Sequence, residues 1–109
     1  MAKGQILFWY ALMAMTPEAR VKKKVTDQLK KLGAYYFYAF TGGYGKSGVP
    51  DIIGCYKGKF FAIECKAGSN KTTALQDANI SQIRESGGAA IVVNEDNQAG
   101  ITDWVQQIT

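Results

Sequence analysis

Two runs rich in β-branched and aromatic residues, Asp51–Tyr56 and Lys59–Lys66, are separated only by Lys57-Gly58, and this gap constrains the chain more than any other feature. A two-residue hairpin turn there pairs Tyr56 with Lys59, so that opposed residue numbers always sum to 115. Asp51 and Glu64 satisfy that sum. They therefore face each other on one side of the ladder, with Cβ atoms about 4.5–5.5 Å apart. Lys66, two residues beyond Glu64, leaves from the same face. A bulge at Gly58 would slip the register by one and send Asp51 to the other side. The same register sets Cys55 on the Asp51 face and Cys65 on the opposite one, so the two read as small buried residues and not as a disulfide.

Two carboxylates opposed on a sheet repel each other, and Lys66 alone is a poor match for both. A hard divalent cation with oxygen ligands suits the position between them. Ile52, Ile53, Phe61, Ala62 and Ile63 make both strands largely buried, which argues against charges that merely end exposed strands. The chain contains no histidine, which removes Ser-His-Asp hydrolysis, Cys-His proteases, His-rich zinc sites and any nuclease with a His base. Two cysteines are too few for a disulfide framework or a thiolate zinc site, so a reducing, cytoplasmic location is expected.

At 109 residues the chain fits one domain. Thr16 can cap a helix that begins at Pro17 and stops at Gly33, with Val21, Val25, Leu29 and Leu32 forming its buried stripe. Glu18 falls within that stripe. It is either a partner for the positive end of the helix dipole or a carboxylate aimed into a site under the sheet. Tyr35–Phe40 (YYFYAF) reads as a strand, 73–86 as a helix ending at Gly87-Gly88, Ala89–Asn94 as a fully buried strand, and Thr102–Ile108 as a short final helix with Trp104 and Val105 inward. The order α-β-β-β-α-β-α predicts an α/β fold, a mixed sheet with helices on both faces.

Up to Lys71 there are twelve Lys or Arg against four Asp or Glu; from Thr72 onward there is one Arg against five acids. The positive field of the first two-thirds points to a polyanion, nucleic acid or an anionic surface, although a Lys-rich solvated helix face explains part of it. The loop Gly42–Gly48 permits close backbone approach, and Tyr44, Lys46 and Ser47 within it, with Lys71, are candidate DNA contacts. It lacks the GxxxxGK[ST] spacing of a P-loop. The apolar run Gln5–Met15 is too short to span a bilayer, for which about 20 residues are needed, so no membrane role is expected. Residues 1–14 read as an apolar extension, either a remnant preceding an original start at Met15 or a dimer arm, ahead of one domain over 15–109.

Pro50-Asp51, then twelve residues, then Glu64-Cys65-Lys66 resembles the PD-(D/E)xK nuclease signature. Together with Ser47-Gly48-Val49 before it and Gln76 on the next helix, the set resembles the virus-type replication-repair nuclease (VRR-NUC) domain in its stand-alone phage or prophage form, from about Met15 to Asn97. The resemblance implies a restriction-endonuclease-like αβββαβ core with a mixed central sheet flanked by helices. It implies Mg²⁺ or Mn²⁺ held by Asp51, Glu64 and the backbone carbonyl of Cys65, with Lys66 acting on the attacking water or on the phosphate. Glu18 matches the family's first-helix Glu and would join the catalytic set and the metal ligands. Gln76 matches its helix Gln, which supports the site or contacts the backbone. Function would then be metal-assisted phosphodiester hydrolysis by a homodimer on branched DNA, in the manner of a Holliday-junction resolvase, in the cytoplasm of a bacterial host if phage-encoded. The competing readings are a restriction-type nuclease for a defined duplex sequence, and a DNA-binding module with a vestigial metal site.

Overall fold

The computed structural model describes residues 2–40 and 45–109. Helix α1 spans Lys3–Ala14 and α2 spans Pro17–Leu32. Strands β1 (Tyr35–Tyr38), β2 (Ile52–Tyr56) and β3 (Lys59–Cys65) follow, then α3 (Ala74–Glu85), β4 (Ala89–Val93), a 3₁₀ turn at Gln98–Gly100 and α4 (Ile101–Ile108). The four strands form one sheet in chain order, β1 to β3 antiparallel and β4 parallel to β3. This is the expected mixed α/β sheet with helices on both faces.

Each element forms for a local reason. Thr16 Oγ1 accepts the Ala19 N–H at 3.1 Å, Pro17 opens α2, and Gly33 closes it at φ 80°. Lys57 and Gly58 both have positive φ, 49° and 80°, as a two-residue I′ turn requires. The register is therefore the one counted from the sequence: Ile52 opposes Ile63, Gly54 opposes Phe61 and Tyr56 opposes Lys59. No bulge intervenes.

The alternation of the strands divides the core in two. Val21, Val25 and Leu29 of α2 and Ile101 and Val105 of α4 pack on Ile52, Phe61, Ile63, Cys65 and Val93. Ile80 of α3 packs on Ala62 and Ala90 from the other side, with Ile53 and Ile83 around them. Phe61 lies over Gly54 and meets Trp104 edge-on, with ring centroids 6.2 Å apart.

Three expectations need correction. The segment Ala89–Asn94 is not fully buried: β4 is an edge strand ending at Val93, and Val92, opposite Glu64, is 37% exposed because α3 covers only part of that face. The aromatic run stops being a strand at Tyr38, and Phe40 is exposed. Cys55 is only half-buried, while Cys65 is in the core; both are free thiols. The apolar extension forms α1 over Lys3–Ala14, and none of its residues is buried.

Candidate functional site

The ends of β2 and β3 away from the turn bring the predicted pair together. The Asp51 N–H donates to Glu64 Oε1 at 3.2 Å, and the Cys65 N–H donates to Asp51 Oδ2 at 2.9 Å. Each carboxylate is thus tied to the backbone of the opposite strand. Lys66 Nζ stands 3.7 Å from Glu64 Oε2, on the face predicted. Glu64 is 2% exposed. A loop anchor fixes the approach to Asp51: Asn79, buried on α3, donates to the Ser47 carbonyl at 3.1 Å, and the following Pro50 is fully buried.

The electrostatics are those of a crowded acidic pair. Burial first, then the hydrogen bond and charge of Asp51, push the Glu64 carboxyl up to about 7, against the opposing pull of Lys66 and the Asp51 N–H. Burial beside the same two acids pushes the Cys65 thiol up to about 12, which keeps it protonated and inert. A second cation, from the Lys-rich face of α2 expected to be merely solvated, completes the set. Lys22 Nζ lies 3.5 Å from Glu18 Oε2 and 3.8 Å from Asp51 Oδ1. Burial lowers its pKa, but Asp51 and Glu18 outweigh that and raise it, so the ammonium is held firmly. Its signal in the sequence was its position four residues after Glu18, on the same helix face.

Glu18 itself is half-buried at the rim, not in the core. The first turn of α2 lies at the edge of the packed stripe, and Lys22 is its link to Asp51. Gln76 is engaged in a capping box: its Oε1 accepts the Thr73 N–H at 2.9 Å while Thr73 Oγ1 accepts the Gln76 N–H. Lys46 binds Gln82 Oε1, and Ser47 and Lys71 are exposed. Tyr44 lies outside the described residues.

Among the described residues, no three His, Cys, Asp or Glu side chains gather to hold a metal. The donor set nevertheless fits a hard divalent cation. Two opposed carboxylates, one of them nearly sealed from water, are oxygen donors of the kind that such a cation prefers. No helix among the described residues is long and apolar enough to cross a membrane.

No protein-family model matches the sequence, and no curated protein does. Solved structures do. One, "VRR_NUC domain protein", superposes with a TM-score of 0.67 at 22% identity over 86% of this chain and 91% of its own. The fold is that of a VRR_NUC domain. A second, "VRR_NUC domain", gives a TM-score of 0.64 at 21% identity over 86% of this chain and 95% of its own. The similarity to VRR_NUC structures thus covers most of the chain, and it agrees with the fold that the resemblance in the sequence implied.

Proposed function

We propose that this chain is a metal-dependent endodeoxyribonuclease acting on branched DNA as a homodimer in the cytoplasm. The observation that carries the reading is the opposition of Asp51 and Glu64, with Lys66 on the same face, at the strand ends of a VRR_NUC fold. Asp51, Glu64 and the Cys65 carbonyl would hold Mg²⁺ or Mn²⁺. Bound there, the ion supplies Lewis acidity, stabilising charge on the scissile phosphate and lowering the pKa of water.

The chain's own residues do the rest. The backbone N–H groups of Asp51 and Cys65 lock the two carboxylates in orientation before any ligand arrives. Lys66 points its ammonium into the space beside Glu64, where it orients the attacking water and offsets charge on the pentacovalent phosphate. Water's oxygen forms the new P–O bond, the bond to the leaving oxygen breaks, and the water's proton ends in solvent or on that oxygen. Glu18 and Gln76 support the site from α2 and α3, Gln76 through the part of its amide not used in the capping box. Lys46, Ser47 and Lys71 would contact the DNA backbone, and Tyr44 would stack on a base.

Support for a homodimer comes from α1, where Leu7, Phe8, Trp9, Tyr10 and Met13 are all more than half exposed. A two-fold pair presents two sites to symmetry-related strands, as a four-way junction requires.

Cleavage of junction, flap and linear duplex substrates with Mg²⁺ tests the reading. Asp51→Ala and Lys66→Ala should each lose about 100-fold or more of the rate. Equal rates for wild type and Lys66→Ala would overturn the mechanism, and cutting of linear duplex alone would overturn the branched substrate.

A further inference from the structure

Lys22 is the one lysine of α2 whose ammonium touches two carboxylates of the candidate site, and its neighbours have other engagements or none. Lys23 pairs with Asp27 at 2.9 Å and lies over the Phe8 ring. Lys22 instead bridges Glu18 on its own helix and Asp51 at the start of β2, at 3.5 and 3.8 Å. Two of the four oxygens of the acidic pair take backbone N–H groups, and the other two face ammonium groups across 3.7–3.8 Å. Asp51 Oδ1 faces Lys22 and Oδ2 takes the Cys65 N–H, while Glu64 Oε1 takes the Asp51 N–H and Oε2 faces Lys66.

Two-metal phosphodiesterases place a pair of divalent cations about 3.5–4 Å apart, clamping the attacking and leaving oxygens. Here the space between the Glu18 and Asp51 carboxylates, which a divalent cation bridging them would need, is taken by a side-chain ammonium. We infer that Lys22 is a built-in cation that restricts the site to a single divalent metal, bound on the Glu64 side of Asp51. The inference rests on the reading of Asp51 and Glu64 as metal ligands and deepens it by setting the number of ions. Lys22 also neutralises Glu18 and one oxygen of Asp51, a charge that a second metal would otherwise supply. The α2 backbone holds it in place: the (i, i+4) step from Glu18 to Lys22 runs in the favourable orientation, and Val21 and Val25 seat the helix in the core.

Direct metal binding tests this without reference to catalysis. Titration of the full chain with Mn²⁺, followed by calorimetry and by the loss of the free-ion spin-resonance signal, should give one ion per chain. Lys22→Met keeps the length of the side chain and removes its charge; it should bind two. Lys22→Met combined with Glu18→Ala should return to one. Near-neutral circular dichroism and a cooperative melt check that each variant is folded, and Lys22→Arg, which keeps a cation, should bind one ion. Two ions in the wild type, or one in both wild type and folded Lys22→Met, would overturn the inference while leaving the metal site standing. No bound Mn²⁺ in the wild type would overturn both.

Discussion

Glu64 is a carboxylate with little water, an acidic neighbour and a proton that it releases only near pH 7. That shift links acidity to stability. Below the ordinary carboxylate value of about 4.5, folded and unfolded chains both hold the proton, and the raised pKa contributes fully to stability. Between about 4.5 and 7 the unfolded chain releases it first, so stability falls as pH rises, and above about 7 the loss is complete. Thermal melts of the metal-free protein should therefore fall across this window relative to those of Glu64→Gln, which has no proton to lose. Parallel melting curves for the two proteins would exclude the linkage. Saturating Mn²⁺ should reverse the sign in the wild type, because the ion competes with the proton and binds the folded state more tightly as pH rises.

At the scale of elements, the β2–β3 hairpin places the site, and its packing admits little change. A side chain at Gly54 would collide with the Phe61 ring and come within 2.8 Å of the Tyr35 carbonyl, so both flanking strands would have to move. Gly54→Ala should cost about 1–3 kcal/mol in a denaturant titration. An unchanged midpoint would mean that the ring finds another seat. This hairpin was also the most legible part of the chain, because a two-residue turn and a period of two are local and can be counted. The contact between Lys22 and Asp51 was not countable. It joins residues 29 apart in sequence, and it depends on how α2 docks across the sheet, which no local pattern specifies. Gln76 was ambiguous for a related reason: the residue that a capping box requires at the start of α3 is the same type that a site would recruit. The exposure of Val92 accords with the strand order, which places β4 at an edge of the sheet.

For the whole molecule, the radius of gyration of 14.8 Å exceeds the ~13 Å typical of a compact chain of this length, and the long axis reaches 49 Å. Helix α1 accounts for the difference in character: it is apolar, buries no residue, and meets α2 through Lys23 over Phe8 at 5.8 Å and Arg20 at the Met13 carbonyl. A chain lacking residues 1–14 should keep its cooperative melt, with a midpoint lower by no more than about 5 °C. If α1 is the dimer arm, that same chain should sediment as a monomer where the full chain sediments as a dimer. Loss of folding on truncation would instead make α1 part of the domain.

The tight turn at Lys57-Gly58 has a last consequence, and it concerns which variants of this protein evolution can reach. Any change in hairpin length that preserves the turn adds or removes one residue from each strand, so the distance from Asp51 to Glu64 can change only in steps of two. The interval between the two acids thus has a parity. Relatives whose interval differs by an even number, split equally between the two strands, keep their acids opposed, and an odd difference needs a compensating bulge to restore the pairing. Substitutions along the hairpin are free to accumulate one at a time, whereas insertions and deletions are admitted only in matched pairs.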